Sequence, residues 1–89
     1  MKQSLYVVYD KVAEESGPPF TAKNDAVAIR AAVSLLVNSD VLYIDDYELY
    51  RIAEIDNKSL QIYLIEPELI NIKSSYEAAL NQLEIKEVK

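Results

Sequence analysis

The chain has 89 residues, 51% of them hydrophobic, with 15 acidic and nine basic side chains and a net charge of −6. It contains neither cysteine nor histidine, which removes a disulfide framework, a thiol nucleophile, the usual zinc ligands and the commonest general base. Non-specific binding to DNA draws on cationic side chains that displace counterions, so the acidic balance disfavours it.

One domain, residues 1–89, is expected, burying roughly 60–65% of the surface of its unfolded chain. No apolar run approaches the roughly 20 residues of a membrane span. Met1-Lys2-Gln3-Ser4 lacks the apolar core of a signal peptide, so a cytoplasmic location is expected.

In chain order, Leu5 to Asp10 predicts a strand, because Tyr6, Val7, Val8 and Tyr9 are all β-formers. Its unbroken apolar run suits a central strand or one covered on both faces. Lys11 to Ser16 is a polar connection to Gly17-Pro18-Pro19-Phe20. There the two prolines fix φ and hold the preceding residues extended, making a rigid strut. Phe20 is expected to anchor that strut in the core.

A helix over 25–38 follows. Asn24 is placed to cap it by accepting from the amide of Ala26 or Val27, with Asp25 in the electropositive first turn. Ala26, Ile29, Val33, Leu36 and Val37 form the expected apolar stripe, with Lys23, Asp25, Arg30 and Ser34 away from it. Asn38, Ser39 and Asp40 end the helix, and Val41 to Ile44 is expected to be an ordered connection.

Asp45-Asp46 opens a second strand, Tyr47 to Ile55. Strict alternation puts Leu49, Arg51, Ala53 and Ile55 on one face, and Glu48, Tyr50, Ile52 and Glu54 on the other. Asp56 to Ser59 is a turn. Leu60 to Glu66 returns antiparallel, with Leu60, Ile62 and Leu64 opposed to Gln61, Tyr63 and Ile65. Pro67 is expected to end that strand, leaving Glu68 to Lys73 as a linker. A second helix over 75–86 takes Ser74 as its cap, with Glu77 reaching back. Tyr76, Ala79, Leu80 and Leu83 form its inner side, Ile85 and Val88 could extend it, and residues 85–89 fray. The expected fold is α+β in the order β-α-β-β-α. A three-stranded sheet carries its last two strands as an antiparallel hairpin and helix 25–38 on one face. The second helix lies on an edge or against a partner chain.

Few groupings suggest chemistry. Glu54, Asp56 and Lys58 have the acid-and-lysine spacing of metal-dependent nucleases, but at a hairpin tip such residues are ordinary turn formers. Asp45-Asp46-Tyr47-Glu48 lacks the glycine of a calcium loop. No catalytic residue, metal or cofactor is assigned. Tyr6, Tyr50 and Tyr63 could share a face and stack on unpaired bases beside Lys2, Lys11, Lys23 and Arg30. Core or interface duty suits the tyrosines equally well. Arg30 either pairs with an acid such as Asp10 or Glu48, or meets a phosphate near the helix start.

Several of these segments, in this order, carry a family likeness. They are the Tyr6-Val7-Val8-Tyr9-Asp10 strand, the Gly17-Pro18-Pro19-Phe20 turn, the helix through Ala28-Ile29-Arg30, Asp46-Tyr47-Glu48-Leu49-Tyr50 leading to Asp56, and Glu66-Pro67. Together the chain resembles the small nonstructural protein of gokushoviruses, single-stranded DNA phages of the microvirus group. That resemblance implies a non-enzymatic accessory in the host bacterial cytoplasm that assists or regulates viral DNA replication and single-strand synthesis. It supplies no catalytic residues, and the helix from Ser74 onward is longer than the family leads one to expect. The surface it singles out for partner binding is Pro18, Pro19, Phe20, Asn24 and Arg30. The expected partners are further copies of the chain, in a dimer or larger homo-oligomer, and a phage or host replication protein. The alternatives are direct single-stranded DNA binding and an acidic DNA mimic that inhibits a host protein.

Overall fold

A computed structural model describes residues 2–39, 41 and 43–88, with side chains described as far as Gln82. The order is β1 (Lys2–Asp10), β2 (Glu15–Ser16), β3 (Phe20–Ala22), α1 (Asp25–Val37), a 3₁₀ turn (Ile44–Asp46), β4 (Tyr47–Asp56), β5 (Ile62–Ile70) and α2 (Lys73–Val88). The fold is α+β, with one antiparallel sheet of five strands and two helices. The strands run β2-β1-β4-β5, with β3 beside β2 on the same outer edge of β1. The expected three-stranded sheet is thus extended by two short strands inside the segment read as a polar connection and strut. They form because β1 offers them its free backbone edge: Gly17 N–H reaches Val8 O at 2.9 Å, and Phe20 to Ala22 pair with Tyr6 to Ser4.

Two hairpin loops share one construction. Asp10 Oδ1 accepts from the amides of Val12 and Ala13, both at 3.0 Å. Asp56 Oδ1 accepts from Lys58 at 2.9 Å and Ser59 at 3.4 Å. Each loop then closes through a left-handed residue, Glu14 at φ 58° and Leu60 at φ 64°, a conformation that costs a side-chain-bearing residue roughly 1–2 kcal/mol.

Helix α1 begins as expected. Asn24 is extended, and its side chain accepts from Val27 N–H at 2.9 Å. At the other end Asn38 N–H and its side-chain amide both reach Ser34 O. The buried side is rotated from the expected stripe. Ala28, Ala32, Val33 and Leu36 are buried, Ile29 and Val37 are half-buried, and Ala26 is exposed. Size misleads here, because the line closest to the sheet is occupied by alanines.

Both helices lie on one face of the sheet. Tyr6, Val8, Leu49 and Ile70 from the strands form a single core with Ala28, Ala32, Val33, Leu36, Ile72 and Tyr76. Tyr6 and Leu49 are its largest fully enclosed side chains, each worth about 1.5–3 kcal/mol of burial. The proline strut is pinned as expected: Phe20 is half-buried and stacks on Tyr6, with ring centroids 5.8 Å apart.

The central hairpin departs from simple alternation. Leu5 pairs with Ala53 but Tyr6 pairs with Arg51, so Ile52 is an extra residue in β4. One inserted residue turns everything beyond it to the opposite face. Leu49 and Arg51 therefore face the helices, whereas Ala53 and Ile55, expected beside them, face away. Strand β5 runs on through Pro67 to Ile70, and the segment read as a linker pairs Glu68, Leu69 and Ile70 with Arg51, Tyr50 and Leu49. Pro67 is accommodated at a second register shift on an edge strand, where its missing N–H disrupts no ladder. The cap of α2 is also displaced. The helix starts at Lys73, Asn71 Oδ1 accepts from Lys73 N–H at 3.0 Å, and Tyr76 N–H bonds Ile72 O. Ser74 and Glu77 are exposed within the first turns rather than forming a capping box. Tyr76 is buried, with Ala79 and Leu80 packed beside it; the side chains of Leu83, Ile85 and Val88 lie outside the described residues, as does Asp40.

Candidate functional site

Cross-strand register assigns each side chain to a face, since directly opposed residues in an antiparallel pair point the same way. On the helix side, Val8–Leu49–Ile70 forms an apolar rung of the core and Tyr6–Arg51–Glu68 a polar one beside it. Tyr6 OH donates to Asp25 Oδ1 at 2.7 Å. Burial of the ring, reinforced by that bond, pushes the Tyr6 hydroxyl up to about 12. Arg51 donates to Glu68 through Nη2, which holds its guanidinium pKa above the ordinary arginine value. Its Nε is buried and has no hydrogen-bond partner among the described residues. This cluster ties the start of α1 to the sheet and is a structural fastening.

The opposite face carries neither helix. Its rungs are Gln3–Ile55–Ile62, Leu5–Ala53–Leu64, Val7–Tyr50–Leu69 and Tyr9–Glu48. Ala53 and Val7 are buried within this layer, whereas Ile62, Leu64 and Leu69 are 57%, 87% and 56% exposed. Glu48 is the single charged residue in those rungs. Tyr50 OH donates to it at 2.9 Å, which raises the Tyr50 pKa, assisted by partial desolvation. Tyr9 meets Tyr50 edge-on at 6.4 Å. The result is a mainly apolar surface with one carboxylate at its end, on an otherwise acidic molecule.

A groove of about 720 Å³ separates α1 from α2, lined by Ala26, Ile29, Arg30, Val33, Ala79 and Gln82 among others. Arg30 lies exposed along it and forms no ion pair with Asp10 or Glu48. The ion pairs among the described residues are Lys2–Glu54, Arg51–Glu68 and Lys73–Asp45.

The residues singled out for partner binding do not make one surface. Pro18 and Pro19 are exposed, Phe20 is committed to Tyr6, Asn24 caps α1, and Arg30 borders the groove. Nor do the nucleic-acid candidates converge. Tyr6 is fully buried, Tyr63 lies on the helix side opposite Glu54, and Tyr50 is on the open face. Lys2 and Lys11 stand at opposite ends of β1, about 30 Å apart by strand rise. Lys2 lies over the Tyr63 ring, 5.2 Å from its centroid, and Lys23 follows β3 at the same end of the sheet. Arg30 is elsewhere.

In the acid-and-lysine triplet, Asp56 serves its turn, and those two backbone amides hold its carboxyl below the ordinary value. Among the described residues no group of three or more acidic side chains is placed to hold a metal ion, and no helix is long and apolar enough to cross a membrane. The open sheet face is what residue-by-residue reading missed. Its signal was the apolar spacing of Leu5 and Val7 and of Ile62 and Leu64, which matters only once the bulge at Ile52 aligns them.

No curated protein and no solved structure matches the chain. A family model described as Phage ORF5 protein matches residues 3–77, covering the sheet from the second residue of β1 onward, α1 and the first turn of α2. With most of its length inside that match, the chain belongs to the Phage ORF5 protein family.

Proposed function

We propose that this phage protein is a non-enzymatic accessory of viral DNA replication, of the gokushovirus type, that assists or regulates single-strand synthesis through protein contacts. The observation that carries the reading is the open sheet face. Four rungs of mainly apolar side chains without a covering layer are suited to contact with protein and offer nothing to a phosphate backbone. Several of the described polar side chains serve turns, a helix cap and the fastening of α1, and the acidic surface suits a basic replication protein as a further partner.

The test is genetic and quantitative. A stop codon early in this reading frame, in the phage that carries it, should lower the ratio of single-stranded genomes to duplex replicative forms in infected cells. An unchanged ratio would overturn the replication role. Direct single-stranded DNA binding is the second reading, favoured only by Lys2 lying over the Tyr63 ring. It requires oligonucleotide affinity that falls steeply with added salt, and that affinity must be lost in Lys2→Ala/Tyr63→Ala.

A further inference from the structure

We infer that the open sheet face is closed by a second copy of this chain, giving an isologous dimer in which two sheets meet face to face and the helices lie outermost. This deepens the protein-contact reading above and rests on it. Three observations bear on a second copy as the occupant: charge and shape favour it, and area sets its strength.

The first is charge. Each chain carries a net charge of −6, so two copies meeting through most surfaces bring acidic groups together. In the rungs from Gln3–Ile55–Ile62 to Val7–Tyr50–Leu69 there is no charged side chain, and Glu48 stands at the end of the face, engaged by Tyr50. Two such faces approach without like-charge repulsion. A basic partner finds one carboxylate there, at the margin, and an anionic partner finds no cation.

The second is shape. An antiparallel sheet can leave a polar face to water, but an apolar face such as this one is stabilised by a second layer. A twisted pleated surface is covered well by another sheet about 10 Å away, with strand directions offset by roughly 30°. A two-fold axis makes the same patch serve both sides. The molecule is only 17 Å in its shortest dimension, so doubling its layers gives a body of ordinary thickness.

The third is area. Three strands at about 4.8 Å spacing and about seven residues at 3.4 Å give a footprint of about 340 Å² per copy. The two copies together bury roughly 700 Å² before side-chain relief is counted, which places the dimer among weak, reversible associations rather than obligate ones.

Sedimentation velocity across a concentration series decides the matter. The wild-type chain should move from its monomer mass of 10.1 kDa towards twice that value, with a dissociation constant in the micromolar range or weaker. Leu64→Glu puts a carboxylate into both halves of the interface at a side chain that is 87% exposed in the single chain. It should weaken dimerisation at least tenfold with an unchanged circular dichroism spectrum, and with an unchanged melting temperature at concentrations where the wild-type chain is monomeric. Leu35→Glu, on the exposed side of α1, should leave dimerisation as it is. A wild-type chain monomeric at millimolar concentration overturns the inference, as does a dimer indifferent to Leu64→Glu. Either failure concerns only the self-association, since the replication role is read by genome forms in infected cells.

Discussion

Replacing Tyr6 by phenylalanine removes one oxygen atom and leaves the packing in place. The ring is fully buried and stays stacked on Phe20, so the lost contribution is the 2.7 Å bond to Asp25. A hydrogen bond to a charged group contributes about 1.5–3 kcal/mol. Asp25 is half-buried and can recruit water in the variant, so the lower end, about 1.5 kcal/mol, is expected at neutral pH. For a domain of this size that corresponds to a fall in melting temperature of about 6–12 °C. The pH dependence has a definite sign. The Tyr6 pKa is raised in the folded chain, to about 12 from 10.0. The stabilisation is therefore complete below pH 10 and is lost as pH rises through 10 towards 12. Thermal melts of both proteins, followed by circular dichroism from pH about 7 to about 11.5, should show the wild-type advantage shrinking above pH about 10 and then reversing. The other six tyrosines and the lysines titrate in both proteins, so they cancel in the difference to first order. A variant within a few tenths of a kcal/mol of wild type at neutral pH, or a difference that stays constant through the alkaline range, would refute the reasoning.

Asn24→Ala should cost about 1 kcal/mol by removing the acceptor for Val27 N–H, read as a lower urea midpoint at unchanged slope; a stability equal to wild type would refute the capping role. Glu14→Gly and Leu60→Gly should each stabilise by about 0.5–1 kcal/mol, because relief of left-handed strain exceeds the entropy that glycine adds to the unfolded chain. Destabilisation in both would show that these positions are unstrained. Arg51→Met should change stability by less than about 1 kcal/mol: the stem stays packed, the unpartnered Nε disappears, and Glu68 is exposed enough to rehydrate. Arg51→Ala should cost about 2 kcal/mol, from lost packing of that stem. Equal losses in urea unfolding of the two variants would assign the effect to the ion pair.

Helix α1 was legible because its signals are local. Asn24 caps, Asp25 sits in the first turn, and Asn38 stops the helix, all within a few residues of where they act. The turn at Asp56 was legible for the same reason. What escaped depends on partners distant in sequence. Glu15–Ser16 and Phe20–Ala22 are strands only because β1 lies beside them. Pro67 reads as a terminator until β5 proves to be an edge strand, where a missing donor disrupts nothing. The bulge at Ile52 leaves no trace in composition, yet it decides which face receives Ala53 and Ile55. Since the open apolar face exists only after that reversal, strict alternation hid it. The partner-binding residues drawn from the family likeness are spread over the fold, with Phe20 half-buried against Tyr6 and Asn24 capping α1, so register and packing do not gather them into one surface.

The flank of β5 bears on how far such a protein can assemble. With β2 and β3 occupying the outer side of β1, β5 holds the other margin of the pleated layer, and Glu66-Pro67-Glu68 interrupts it with two carboxylates and a residue that cannot donate. Chains adding there to prolong the layer would meet both repulsion and a missing donor. Growth in the plane is thereby discouraged while stacking across it is not. A pair formed through the open face, as proposed above, would close on itself instead of running on into a filament.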